Sequence, residues 1–293
     1  MTASLPVMIL LGASVLWGVT WWPLKQLNAL GIEGIPLTLV AFGAISLVLL
    51  PLLIMRRRQW VGEGHFLLAI AVLGGYANLA FTSAMIYGEV VRVMVLFYLL
   101  PVWGVLGGRF FLGEHIDAAR GLAVALALGG ALLILGGVQA LAGEIAWPDL
   151  LALSCGMAYA GNNLLFRARQ ALPVTHKVAA MLSGCFGLAL VLVLIQVQPW
   201  PEVALHDWVW VVLYGLGWIL CATAATQWAV THLEAGRASI LIIMELVTAV
   251  VTAMLFGGER MSATELLGGA LILAAAVIEA RRGSETVLRE QRA

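Results

Sequence analysis

Ten stretches of near-continuous apolar sequence constrain this chain more than any motif in it. They run roughly over 6–25, 36–55, 66–86, 90–111, 119–137, 148–167, 176–197, 208–230, 236–256 and 264–281. Crossing about 30 Å of hydrocarbon takes about 20 residues of α-helix, so each stretch is long enough to span a bilayer. Barrel strands would alternate apolar and polar positions over about ten residues, so continuous runs predict helices. Only 11% of the residues are charged and the mean hydropathy is +1.00, far from the range of soluble domains. The expected fold is an all-α integral membrane protein, with the lipid bilayer as its first partner. The loops left between the stretches are too short for a nucleotide-binding domain, and no GxxxxGK[ST] is present. The first stretch lacks a basic leader and a small-residue cleavage site, so it reads as a retained helix.

The basic residues divide between the two sides of such a bundle. With ten spans, Arg56, Arg57, Arg58, Arg109, Arg120, Arg167, Arg169, Lys177, Arg237, Arg281, Arg282, Arg289 and Arg292 share a side with the termini, and only Lys25, Arg92 and Arg260 fall opposite. The positive-inside rule then predicts cytoplasmic termini in a multi-pass plasma-membrane protein, in the inner membrane if the source is Gram-negative. No basic, aromatic-interleaved surface suggests nucleic acid. Cys155, Cys185 and Cys221 fall in three different stretches without a CxxC, and the five histidines form no HExxH, so neither a metal nor a cofactor is expected. Trp60, Trp147, Trp200, Trp208 and Trp210 lie at helix ends, where an indole suits the headgroup layer.

The sequence also repeats. Laid over itself at an offset of 145, residues 84–114 meet residues 229–259: Ala84 falls on Ala229, Glu89 on Glu234, Arg92 on Arg237, and Gly113–Glu114 on Gly258–Glu259. A weaker overlay places Trp17 on Tyr159, Thr20 on Asn162 and Lys25 on Arg167. Each half would hold five helices, and an odd number inserts the second half upside down. Two inverted five-helix repeats are therefore expected, over 1–140 and 141–282, with 283–293 a cytoplasmic tail. Inverted repeats recur in secondary transporters, with the substrate near mid-membrane between the halves.

On these residues the chain resembles the drug/metabolite transporter superfamily in its ten-helix EamA-type form. The resemblance is carried by ASVLWGVTW in the first helix, LLPVWGVLGGRFFLGE in the fourth, IMELVTAVVTAMLFGGE in the ninth, and the Gly-rich fifth and tenth helices. In that family the ninth helix often reads LEPV. Here Leu246 replaces the proline, which removes the residue that would enforce a kink. The WG-x-TW opening and the tryptophan-rich interior look most like the YddG-type exporters of aromatic amino acids. The resemblance implies export of small metabolites such as amino acids without ATP hydrolysis.

Polar or amphipathic groups deep in a span should face the bundle interior. By depth, Trp17, Tyr76, Pro101, Tyr159 and Glu245 lie near mid-span. Trp17 and Trp21 share a helix face with Thr20 and Trp22 alongside, a candidate aromatic wall for cation-π or stacking contacts. Pro101 is a candidate hinge that would free the carbonyl of Phe97 and angle Tyr98 and Trp103 toward the interface of the halves. Asn78 and Thr82 in the third helix, Asn162 and Asn163 in the sixth, and Thr223, Thr226 and Gln227 in the eighth could meet both charges of an amino acid, or simply join helices. Glu245 could carry a proton, which would couple transport to protons, or meet a substrate ammonium; as a neutral structural acid it would instead hydrogen-bond Asn or Tyr. Glu89, Arg92, Glu234 and Arg237 share an E-x-x-R spacing suited to capping, interfacial pairing or gating. Glu114 and Glu259 read as turn structure. The GxxxG of Gly104 and Gly108 suits close packing, within or between chains.

Three function classes compete. An alternating-access carrier for amino acids or similar metabolites fits the repeat. A passive facilitator would share the fold. A multispan enzyme would need a nucleophile with a base, or paired carboxylates at one depth, and Glu245 stands alone.

Overall fold

The computed structural model describes the chain except residues 1–3, 33, 89, 143, 196–199, 258–261 and 291–293. Glu89, Arg260 and Glu259 therefore lie outside the described residues, as do Arg292 and the side chains of Arg92, Arg282 and Arg289. Every regular element among the described residues is helical. The α-helices are α1 (Ser4–Gly18), α2 (Trp21–Ala29), α3 (Gly34–Met55), α4 (Gly64–Tyr87), α5 (Val90–Phe97), α6 (Leu100–Leu112), α7 (Ala118–Ile134), α8 (Trp147–Ala168), α9 (Val174–Ile195), α10 (Trp208–Leu213), α11 (Leu220–His232), α12 (Ala235–Ile242), α13 (Met244–Gly257) and α14 (Ala263–Glu290). A π-helical turn, Tyr214–Ile219, joins α10 to α11.

Each apolar stretch is mainly helix among the described residues. Among the described residues, seven segments are long and apolar enough to cross a membrane, and α7 is a shorter apolar helix. α8 has the length, but Asp149, Asn162, Asn163 and Arg167 make it more polar than those seven segments. The ends obey local chemistry. Asp117 caps α7 by accepting from the Arg120 amide at 2.8 Å, and Asp149 accepts from the Ala146 amide at 2.8 Å ahead of α8. Gly113, at φ +70°, takes the left-handed turn that ends α6 and sends the chain back toward α12.

Helix packing follows the repeat. α1 packs on α11 and α13, and its counterpart α8 packs on α4 and on α5 and α6. α3 meets α9 and α7 meets α14, each helix against its own counterpart, and α6 packs on α12, the counterpart of α5. These pairs follow a pseudo-two-fold between the halves, and α6–α12 departs from it, since its exchanged partner contact between α13 and α5 is not a principal one. The α7–α14 contact is itself reciprocal: a Cβ at Gly130 would lie 2.5 Å from the Gly268 carbonyl, and one at Gly268 would lie 2.6 Å from the Gly130 carbonyl. Only glycine lets these backbones approach so closely.

Among the described residues four spans are interrupted, and the interruptions face one another. α1 gives way to α2 at Val19–Thr20, opposite the π-turn of the eighth span, where the Trp218 indole donates to Thr20 Oγ1 at 2.9 Å. The fourth span breaks at Tyr98–Leu99 and the ninth at Ile243. Ile243 stands one repeat offset from Tyr98, so the ninth span keeps the break although Leu246 has replaced the proline. The amide of Leu246 turns back to the Ile243 carbonyl at 2.9 Å, a tight turn that needs no proline. Pro101 sits in the first turn of α6, where it starts a helix rather than bending one. The Phe97 carbonyl lies against Gly156 of α8, where a Cβ would stand 3.0 Å away. Broken backbone at membrane depth is tolerated where protein or a water-lined cavity covers it.

Candidate functional site

The two facing breaks define the centre. Tyr98, 2% exposed, projects from the first break and donates its hydroxyl to Glu245 Oε1 at 3.0 Å, in the first turn of α13 just beyond the second break. Glu245 keeps partial exposure. The backbone on its other side is pressed by α1: a Cβ on Gly18 would come within 2.5 Å of the Glu245 carbonyl and of Thr248 Cβ. The acid is thus framed by the first, fourth and ninth spans.

A chain of aromatic and amide groups leads away from it. The Tyr98 ring lies edge-on to Phe97 with centroids 5.3 Å apart, and Phe97 lies 6.1 Å from Tyr159 of α8. Gln227 Nε2, on α11, donates to Asn163 Oδ1 at 3.2 Å and reaches the Tyr159 hydroxyl at 3.5 Å. Asn162 Nδ2 donates to Asn163 Oδ1 at 3.4 Å. Gln227 is fully buried, yet its Oε1 meets no partner, and Asn163 Nδ2 and the Trp103 indole N–H are likewise unpartnered. Buried polar atoms of this kind are usually satisfied, so these three, together with the likewise unpartnered Asn162 Oδ1, mark capacity for a ligand.

The tryptophans stitch helices. Trp17 donates to Thr226 Oγ1 at 3.1 Å and Trp21 to Thr252 Oγ1 at 3.0 Å, fixing the first span to α11 and α13. Trp22 is half exposed, as a belt residue would be. The third-helix candidates do not join the centre through hydrogen bonds. Tyr76 shares a bond with Ser154 Oγ at 2.8 Å, Asn78 donates to its own helix at the Gly74 carbonyl, and Thr82 donates to the Asn78 carbonyl.

One end of the bundle carries an ionic cluster whose members lie far apart in the sequence. Arg120, 1% exposed, donates through Nη2 to Glu234, through Nε to Glu279 at 3.4 Å and through Nη1 to the His115 carbonyl at 3.0 Å. Glu114, swung back by the turn at Gly113, accepts from the amides of Ala235 at 2.6 Å and Gly236 at 3.1 Å. Glu114 is therefore the cap of α12 as well as a turn residue, and Glu234, expected to cap or to pair within its E-x-x-R, meets Arg120 of the other half. Burial pushes the Glu114 carboxyl above the usual carboxylate range, and the bonds from Ala235 and Gly236 act against that shift. Glu245 lies ten residues along from Ala235, about 15 Å of helix rise, and Thr252 a further 10 Å or so. The ionic cluster, Glu245 and the Trp21–Thr252 bond thus succeed one another along the bundle axis.

A second buried cation braces the second half from within. Lys177 of α9, fully buried, donates to the carbonyls of Phe166 at 2.8 Å and Arg169 at 3.0 Å, and to Thr231 Oγ1 at 3.1 Å. It caps the C-terminus of α8, where a cation is favoured. Three oxygens satisfy its three N–H groups.

Helices packed with the symmetry of two repeats, broken at facing mid-membrane positions around one carboxylate, define a multi-pass membrane transporter. The profile of the EamA-like transporter family matches residues 4–136 and 146–279, and the chain belongs to that family. It is 25% identical over 214 residues to an uncharacterized transporter of Archaeoglobus fulgidus, covering 72% of this chain and 75% of that one. It is 25% identical over 283 residues to the uncharacterized transporter YoaV of Bacillus subtilis, covering 90% and 92%. A chain in a solved crystal structure superposes with a TM-score of 0.74 at 20% identity over 95% of this chain and 98% of that one, a likeness of fold.

Proposed function

We infer that this transporter exports amino acids, aromatic or other neutral ones, and related small metabolites by alternating access. Its ten spans form two inverted five-helix repeats, over 1–140 and 141–282, that rock about the centre. Both termini are cytoplasmic, in the plasma membrane. The observation that carries this reading is the Tyr98–Glu245 contact between two facing helix breaks, because discontinuous helices at the repeat interface are where secondary transporters bind their cargo. The Arg120 cluster closes the cytoplasmic end in this state, and the Trp21–Thr252 bond lies toward the other end. Glu245 is the group through which protons would couple. Trp17 and Trp21 spend their N–H groups on threonines and leave ring faces for an aromatic cargo, which supports the likeness to the YddG-type exporters.

Counterflow in proteoliposomes tests the reading. Labelled amino acid should accumulate against excess unlabelled cargo and saturate, with a response to an imposed pH gradient. Flux that never saturates would make the protein a passive facilitator instead.

A further inference from the structure

We propose that the central site recognises its cargo by a protonated amine on an aromatic or apolar body, so that amines bind ahead of zwitterions and acids lacking an amine are rejected. This rests on the reading of the centre as the transport site and narrows it. Among the described residues, Glu245 is the one ionisable acid near the middle of a span, and the hydrogen bond it accepts comes from a neutral phenol, Tyr98. Every described lysine and arginine side chain lies in a loop or near the end of its span; of the buried ones, Lys177 and Arg120 are held by oxygens, and Arg237 at the start of α12 is set back from Glu245 by about 12 Å of helix rise. A carboxylate at that depth lacks a countercharge, and a cationic cargo supplies one.

The surroundings fit such a ligand and not an anion. Tyr98 bonds the acid, and Phe97 and Tyr159 continue an aromatic surface from it, suited to an apolar body and to cation-π attraction. Gln227 Oε1 is a buried acceptor with no partner, a second place for a donor on the cargo. A cargo carboxylate would find neutral donors such as Asn163 Nδ2, and Glu245 would repel it.

A series with one ring and three charge states tests this: phenethylamine, phenylalanine and 3-phenylpropionate, at a pH where the amine is protonated. Binding to the purified full-length protein is read by thermal stabilisation, since a ligand that binds the folded state raises its melting temperature. The amine should bind at least tenfold more tightly than the acid, with the zwitterion between them, and Glu245→Gln should collapse the order while the variant remains folded by size-exclusion profile. Equal binding of amine and acid, an order that survives Glu245→Gln, or no binding by any member would each overturn the inference. Rank order with no saturable counterflow would sink the transport reading and leave the site. Saturable counterflow without rank order would do the reverse.

Discussion

Arg120 of α7 and Glu234 at the start of α12 are joined side chain to side chain across the two halves of the chain, and Glu279 of α14 binds the same guanidinium. Both halves are therefore tied at one end of the bundle through a cation that is 1% exposed. If this cluster seals that end, weakening it should admit solvent to the helix contact behind it. Ser239, 2% exposed and pressed against Gly104 of α6, is a reporter at that contact. With the exposed Cys221 replaced by Ser, a Ser239→Cys protein should react slowly with an impermeant maleimide. Adding Glu234→Gln should speed the reaction at least tenfold. An unchanged rate would mean that the cluster does not close the pathway.

The phenol of Tyr98 occupies the acceptor that the cargo would use. Tyr98→Phe removes a hydrogen bond to a charged group, a loss of about 1.5–3 kcal/mol at most. The melting temperature should fall while affinity for an amine rises, because the ligand no longer competes with Tyr98. A variant that loses stability and affinity together would make Tyr98 a direct cargo contact.

How far the sequence alone leads differs from residue to residue. The apolar runs and the offset of 145 foretell the helices and the equivalence of α5–α6 with α12–α13, because span length and repetition are one-dimensional properties. Depth is also one-dimensional, so Glu245 could be placed at mid-membrane. Direction is not. Asn78 and Thr82 have the right depth, yet both turn back to carbonyls of their own helix, the common fate of such side chains where no partner stands opposite. Partners across the bundle were likewise hidden. Arg120 lies 114 residues from Glu234, and Lys177 finds its oxygens on two other helices. The break at Ile243 was concealed by its lack of proline, though its equivalence to Tyr98 within the repeat was a signal that could have exposed it.

Gly18 sets how closely the first span can approach the acid. A methyl group there would meet the Glu245 carbonyl and Thr248 Cβ at 2.5 Å, inside any tolerable contact. Gly18→Ala should force α1 away from α13 and destabilise the protein by about 1–3 kcal/mol, the usual range for overpacking. The check is a lowered melting temperature together with loss of the Trp17–Thr226 and Trp21–Thr252 stitches, seen as altered tryptophan fluorescence. A Gly18→Ala protein as stable as the parent would mean that α1 is free to shift.

Lys177 provides the last prediction, and its chemistry separates charge from shape. Its ammonium satisfies the carbonyls of Phe166 and Arg169 and the hydroxyl of Thr231, and Thr231 in turn donates to the Gln227 carbonyl at 2.8 Å. Lys177→Met keeps the length and apolar stem but strands these buried acceptors, at about 1–3 kcal/mol each where water fails to replace the bond. A loss of several kcal/mol is expected, read as a lower melting temperature in detergent. Lys177→Arg should fail to rescue it, because a planar fork does not match three oxygens arranged around a point charge. Since Thr231 and Gln227 share α11, the Met variant should also weaken amine binding at the centre. Full stability in Lys177→Met would show that water fills the cradle and that the lysine is dispensable to the fold.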